Sequence, residues 1–359
     1  MVKNNLATAP APHLHSPIST QKIMAITTLA LLPAFFVSVY FFGAGVIWQF
    51  LISSVTAFIC QLICGFLRHR SLYKSVGDLS YIVTALILAL TLPPLIPFHL
   101  TVIVTAFAIL ICKECFGGLG MNIFNPAMAG FVFLLISAPG QMFNTYIAPA
   151  PNAYVEASLG NTYEVIFNNA DAKEIHDKVL ALNNDADALS GATWLESTKT
   201  ARKSGHIDDV QAINYQDGKE SGYLYLALAY LLGGLVLLAF RIIFLRMVVS
   251  FFLSLVVFVL LGKLMLPNLV LNLDAQLILG GTMLGAFFII TDPVTNAGTA
   301  KGRIIFAILC AFLIVLIRAF GSYSDAVAFA VLLSNASAPL IDALTRRRAY
   351  GIGFKKGGL

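Results

Sequence analysis

The sequence predicts an all-α polytopic membrane protein of about ten transmembrane helices, arranged as two inverted five-helix repeats with one long polar segment on the outer side. Three observations carry this. Hydrophobic types make up 58% of the 359 residues and charged types only 11%, which leaves too few charges to cover a soluble surface. Apolar runs near the length that crosses a bilayer, about 20 residues, recur along the chain. Lysine and arginine, finally, segregate to alternate connections in the manner of cytoplasmic loops.

The expected spans lie near residues 24–43, 45–66, 77–96, 98–113, 124–140, 222–240, 242–262, 274–291, 303–320 and 324–343. They divide the chain into a cytoplasmic N-terminal segment (1–23), a first membrane repeat (24–140), a periplasmic segment (141–221), a second membrane repeat (222–343) and a basic cytoplasmic tail (344–359). The N-terminal residues are polar and lack a cleavable signal pattern, so the first span is expected to stay in place. With both termini inside, 15 cations fall on the inner side, and outside the polar segment only Lys263 and Arg318 fall on the other. Residues 141–221 hold 12 acidic and 6 basic residues, a balance suited to a segment outside the membrane.

The halves echo each other in GDLSYIVTALILALTLPPLIP (77–97) and GGTMLGAFFIITDPVTNAG (280–298). Each is an apolar run punctuated by Gly and Pro. Five spans separate them, so the second must be inverted, an arrangement that places helix ends and loose carbonyls at a buried site. The other reading is that Gly and Pro are common in membrane helices.

Within the polar segment, DADALSGATWLES (185–197) presents Thr193 after Ser190, Gly191 and Ala192, with Asp187 six residues upstream. From the residues alone this is a surface turn or a helix N-cap, ordinary work for Asp, Ser and Thr. The loop FGGLGMNIFNPAMAG (116–130) combines Gly117, Gly118 and Gly120 with Asn122, Asn125 and Pro126. It reads as a turn between spans four and five whose glycines permit tight backbone geometry and whose proline suits a first helical turn. Asp292, at the end of span eight, is expected to pair with Lys301 or Arg303 or to line an ion route, because charge near the membrane is costly. Asp78, Asp325 and Asp342 raise the same question at span ends. No run of intramembrane carboxylates marks a proton or sodium path.

Asp187-Ala-Leu-Ser-Gly-Ala-Thr193 resembles the Asp-x-x-Ser-Gly-Ala-Thr acceptor of bacterial membrane flavoproteins. Together with HSPISTQKIM, FGGLGMNIFNPAMAG and ITDPVTNAGTAKGR, it gives essentially the whole chain a resemblance to the RnfD-type membrane proteins of Rnf electron transport complexes. The NqrB-type protein of the sodium-translocating NADH:quinone reductase is related but usually has a longer N-terminal part. The resemblance implies FMN attached through its phosphate to Thr193 by a dedicated flavin transferase, with Asp187, Ser190, Gly191 and Ala192 as the acceptor motif. It also implies a second, non-covalent flavin, riboflavin or FMN, in the membrane part, for which Asn122 and Asn125 are candidate wall residues. The expected role is electron relay within a complex that couples ferredoxin–NAD electron transfer to ion movement, with the other Rnf proteins (RnfA, RnfB, RnfC, RnfE and RnfG) as partners. Trp194 would pack beside the flavin or anchor the segment at the interface.

Other patterns bound the function. The chain has no dinucleotide fingerprint and no cysteine-rich ferredoxin pattern, so it does not itself bind NAD or dock ferredoxin. Cysteines 60, 64, 112, 115 and 310 all lie in or beside apolar runs, which excludes a disulfide-built outer domain, and they read as structural thiols rather than metal ligands. The tail RRRAYGIGFKKGG (346–358) suits anionic membrane lipid and is too short for a nucleic-acid partner. A solute channel or transporter, or a scaffold, would share the hydropathy profile.

Overall fold

The structure, a computed structural model, describes residues 19–69, 76–168, 170–181, 195, 221–267, 269–321, 323 and 325–346. Among these residues it is helical, with no strand. Six of the described helices are long and apolar enough to cross a membrane: α1 (Thr20–Phe42), α2 (Gly45–Leu67), α10 (Ser221–Ala239), α11 (Leu245–Met265), α14 (Ala300–Phe320) and α15 (Val327–Thr345). The remaining crossings are shorter or interrupted. They are α3 (Ser80–Thr91), α4 (Phe98–Ala106, widening into π-type turns over Phe107–Glu114), α5 (Pro126–Ser137), and α12 (Leu273–Ile278) followed by α13 (Thr282–Leu284), which widens over Gly285–Ile289. Among the described residues, the six long helices and the shorter apolar elements fall where the sequence places spans.

A 12-residue helix such as α3 or α5 rises about 18 Å, well short of a hydrocarbon core of about 30 Å. Backbone left outside a helix at that depth must find partners in protein. After α3 the chain turns through Leu92–Pro97, and the buried Gln49 side chain of α2 donates to the carbonyls of Pro94 (3.2 Å) and Ile96 (3.0 Å). Gln49 is itself held by Thr101 of α4 at 2.6 Å. Sequence supplied the punctuation at Pro93 and Pro94; packing supplies the donor.

The halves run in opposite senses. The end of α1 meets the start of α10, where Phe41 stacks on Tyr225 at 5.6 Å. Midway, Gly233 lies against the backbone of α1, and a Cβ there would collide with the Ala30 carbonyl, so a small residue sets the helix separation. α2 packs on α3 and α4 as α11 packs on α14, and α5 meets α15 near the centre. One continuous apolar core draws on both halves, including Leu31, Leu86, Met128, Phe251, Phe306 and Val331.

The two helix starts inside the repeats correspond. α3 is preceded by Leu79 at φ +57° and α13 by Gly281 at φ +67°, both left-handed. Both elements close on Thr-x-Pro: Thr91 bonds back to the Ile87 carbonyl and Thr291 to that of Phe287. This is the weak echo of the sequence made geometric.

Four short helices cover the face where α1 ends: α6 (Pro139–Asn144), α7 (Ala153–Glu156), α8 (Leu159–Asn168) and α9 (Ala172–Ala181). We call this the covered face and the opposite one the N-terminal face. Backbone bonds from Ala44 to Ala157 (2.8 Å) and from Ala150 to Phe41 (3.0 Å) fix the layer to the bundle. Trp48 donates to the Leu159 carbonyl at 3.1 Å, and its ring packs against Tyr163 and Phe167. A small core of Ile147, Ala153, Val165, Ile175 and Val179 sits beneath, with Leu95.

Candidate functional site: two cavities at the helix breaks

Each end of the broken crossings opens a cavity. On the covered face a cavity of about 180 Å³ lies between the end of α3 (Leu92, Pro93, Pro94) and the start of α13 (Leu279, Gly280, Gly281). Its walls are mostly apolar, with Phe42, Phe131 and Met142, and its polar groups include Ser38, Asp325 and the Tyr146 and Tyr223 hydroxyls, which share a hydrogen bond of 2.7 Å. Leu195 also lines it, packed beside Leu271, Ala275 and Leu279. On the N-terminal face a smaller cavity of about 80 Å³ lies between the start of α3 (Ser80) and the end of α13's crossing (Thr291, Asp292, Pro293). Lys113, Asn122 and Asn125 border it. The inverted repeat therefore builds one cavity from each pair of exchanged ends.

The sequence-predicted residues fall unevenly on this plan. Asp187, Ser190, Gly191, Ala192, Thr193 and Trp194 lie outside the described residues. Asn122 and Asn125 do come together at the N-terminal-face cavity. Gly117, Gly118 and Gly120 all take positive φ, at +127°, +94° and +96°, which turns the chain back toward α5. Asn125 is the N-cap of α5, accepting from the backbone N–H of Ala127 (3.1 Å) and Met128 (3.3 Å), with Pro126 at the first helical position. That role explains the residue without a ligand. Asn122 differs: its amide nitrogen donates to the Phe124 carbonyl at 3.1 Å, while its buried Oδ1 has no hydrogen-bond partner, a costly state for a buried acceptor unless something fills it.

The expected pairing of Asp292 with Lys301 or Arg303 is not found. Asp292 accepts instead from the Val294 N–H (3.2 Å) and the Thr295 hydroxyl (3.1 Å), closing a local turn. Arg303 is directed elsewhere, donating to the carbonyls of Ala297 and Gly298 at 3.2 Å each and resting over the Phe244 ring at 3.9 Å. A turn of this kind satisfies the carboxylate within three residues, so the longer reach to Lys301 gains nothing. The other boundary carboxylates also cap backbone: Asp78 accepts from Ser80, Asp325 from Val327, and Asp342 from Gly298 and Thr299. Cys60, Cys112 and Cys310 are buried, Cys64 is partly so and Cys115 is exposed.

Several residues escaped the sequence reading. Lys113 is 1% exposed, not a loop cation: it donates to Ser80 Oγ (2.5 Å) and Gln61 Oε1 (3.2 Å), with Asp78 at 4.0 Å. Arg318 is buried too, donating to the Gln276 carbonyl and side chain, the Leu279 carbonyl and Thr282 Oγ1, all within 2.9 Å. One signal for Arg318 was visible, since it broke the segregation of cations; for Lys113 nothing in one sequence separates a loop lysine from a buried one. Asn335 of α15, 1% exposed, bridges the Thr295 carbonyl and the Asn125 N–H when its amide is oriented to satisfy both.

Outside the membrane-spanning helices, His176 of α9 is hydrogen-bonded to the Tyr146 backbone, and burial lowers its pKa below the ordinary value, against opposing contributions from Asp177 and that bond. Its Nε2 is buried without a partner.

Comparison with known proteins fits this architecture. Over 346 residues, the chain is 42% identical to the D component of the ion-translocating oxidoreductase complex of Cronobacter sakazakii, covering 96% of this chain and 98% of that one. It is 40% identical to the components of the same name in Salmonella paratyphi A and Salmonella typhi, again over 346 residues, at 96% and 97% coverage. The sequence profile of the NQR2, RnfD, RnfE family matches residues 7–351. This multi-pass membrane protein belongs to the NQR2, RnfD, RnfE family.

Proposed function

We propose that this chain is the membrane electron-relay component of an Rnf-type ion-translocating oxidoreductase, carrying FMN by a phosphoester on Thr193 and coupling electron transfer between ferredoxin and NAD to ion translocation. Full-length similarity to proteins named for such a complex supports the setting. The observation that carries the cofactor reading is Leu195. It follows Thr193 by two residues in the sequence and lines the covered-face cavity. That adjacency supports a group tethered at Thr193 being served by this largely apolar cavity, which Tyr146 and Tyr223 border.

The lining of both cavities supports the flavin reading. Phe42, Phe131 and Met142 offer apolar side chains on the covered face, with the Leu279–Gly281 backbone beside them, and the hydrogen-bonded Tyr146–Tyr223 pair borders the cavity. On the N-terminal face the unpartnered Asn122 Oδ1 suits a ring N–H, which supports a second, non-covalent flavin there, while Asn125 shapes the wall by capping α5. When bound, flavin supplies one- and two-electron chemistry that no side chain of this protein has. The chain's own part is to hold, orient and shield. Thr193 is an anchor and not a nucleophile in turnover, and Asp187 and Ser190 are the features a flavin transferase would read.

In the orientation that follows cation segregation, the N-terminal face is cytoplasmic and the covered face periplasmic, in the bacterial inner membrane. Flavin is made inside the cell, so a covalent tether on the outer face prevents a loss that could not be replaced. The other Rnf proteins would deliver and remove electrons at the two faces. The test is intact mass of the chain purified from its native membrane. An added mass of one FMN residue, absent in Thr193→Ala, supports the assignment; an unmodified chain from an active complex overturns it.

A further inference from the structure

Lys113 and Arg318 occupy corresponding places in the two repeats. Lys113 closes the fourth crossing and Arg318 the ninth. Each donates to the hydroxyl of the first residue of its repeat's interrupted helix, Ser80 for Lys113 at 2.5 Å and Thr282 for Arg318 at 2.9 Å. Each also donates to a glutamine Oε1, that of Gln61 at 3.2 Å or of Gln276 at 2.7 Å. The residue before each hydroxyl is the left-handed one, Leu79 or Gly281. Both cations are buried, at 1% and 5% exposure.

Buried cations are costly unless bonded. Each stands in the last turn of its own helix, an end that favours positive charge, and each is turned onto the start of the interrupted helix; the arrangement occurs twice. What the two share is nearness to a cavity. Lys113 lines that of the N-terminal face. Arg318 stands one layer behind the covered-face cavity, gripping the Leu279 carbonyl of its wall at 2.8 Å. Asp78 lies 4.0 Å from Lys113, whose other neighbouring carboxylate, Glu114, is paired with Arg68 at 3.0 Å. Asp325 acts on Arg318, so each site is close to neutral until negative charge enters the cavity.

We propose that Lys113 and Arg318 are one positioning residue used twice, each holding a helix break in shape and each standing as the fixed positive charge that raises the reduction potential of the flavin in its own cavity. This rests on the flavin reading above. Reduction adds negative charge to the ring, and a nearby cation in a low-dielectric setting favours that state.

The test is a redox titration of the full chain carrying both flavins, with the covalent and non-covalent pools read separately by comparison with Thr193→Ala. Arg318→Gln is expected to lower the potential of the covalent flavin and leave the other in place, and Lys113→Gln to do the reverse. Arg318→Lys and Lys113→Arg keep the charge, so they should lower thermal stability while leaving both potentials near wild type, whereas a purely structural role would leave the potentials of the glutamine variants unmoved as well. Where a glutamine variant fails to fold, Asp325→Asn and Asp78→Asn remove the balancing carboxylates and should raise the potential of the adjacent flavin. Flavin-loaded variants whose potentials do not move, or that move both flavins alike, overturn this inference alone. A wild-type chain without flavin overturns the flavin reading and this inference with it.

Discussion

The two cavities are made by the same fold operation and differ in the polar groups they present. On the covered face the walls are mostly apolar, the hydroxyls of Tyr146 and Tyr223 bond to each other, and Asp325 is a charged side chain of the lining. On the N-terminal face the cavity is less than half the size and carries Lys113, an unpartnered Asn122 oxygen and Asp292. The contrast follows from how an occupant is held. A group tethered by a covalent bond is kept at high effective concentration, so its cavity need supply shape and shielding but little affinity. A group that binds reversibly must be retained by hydrogen bonds from the wall.

The sharpest way to break this comparison is to cut the tether. Thr193→Ala should remove flavin from the covered-face cavity completely, because the apolar wall that remains has few groups to hold it. The denatured chain should lose its flavin fluorescence while the folded chain keeps its non-covalent flavin. Full flavin content in both pools after washing would show that the covered-face cavity binds on its own strength. The converse change is Asn122→Leu, which replaces the unpartnered acceptor by an apolar group of similar size. Loss of one buried hydrogen bond, about 1.4 kcal/mol, should weaken retention of the non-covalent flavin about tenfold. Covalent flavin measured on the same sample should be untouched, and an equal loss from both pools would place Asn122 in folding rather than binding.

How much of this was readable in advance differs along the chain for physical reasons. The six long helices were legible because apolar run length is a direct consequence of bilayer thickness. The breaks at Pro93 and Pro293 were legible because proline ends a helix from its own covalent structure. What fills a break is set by residues far away in sequence: Gln49 reaches Pro94, Arg318 reaches Leu279, and Asn335 reaches Asn125. No local pattern encodes those meetings. Asp292 shows the opposite failure, where a long-range ion pair was expected and a three-residue turn was enough. Of the candidate site, Asn122 and Asn125 share one wall but could not be told apart in sequence, since capping and ligand binding use the same amide. The Thr193 motif rests on resemblance and lies outside the described residues.

A smaller effect distinguishes the two helix starts. Gly281 and Leu79 hold equivalent left-handed positions, but a Cβ at Gly281 would meet nothing within 4 Å. Gly281→Ala should therefore cost only the backbone strain, about 1 kcal/mol, seen as a slightly lower melting temperature. Gly280→Ala should cost more. There the new Cβ meets both the Arg318 guanidinium at 2.5 Å and the Leu195 side chain at 2.7 Å, so it disturbs the wall as well as the backbone. Equal melting temperatures for the two variants would mean that the Arg318 grip on this segment is loose.

The smallest expected effect concerns the layer above the covered-face cavity, and it has no counterpart among the described residues of the other face. His176 is hydrogen-bonded to the backbone of Tyr146, a wall residue, and its Nε2 is buried without an acceptor. Protonating it would bury an N–H with nowhere to donate, and burial accordingly holds its pKa below the ordinary value of about 6.5. A depressed folded pKa means that this contribution to stability is fully present above the unfolded value and is lost as pH falls through the folded one, because the unfolded chain takes up the proton first. Hydrogen exchange of α8 and α9, corrected for the intrinsic rate, should therefore show a few-fold drop in protection on going from neutral pH to below the ordinary histidine range. His176→Gln should flatten that dependence. Protection that falls equally in the variant would move the pH response away from His176, and a matching fall around Asn122 would remove the distinction between the faces.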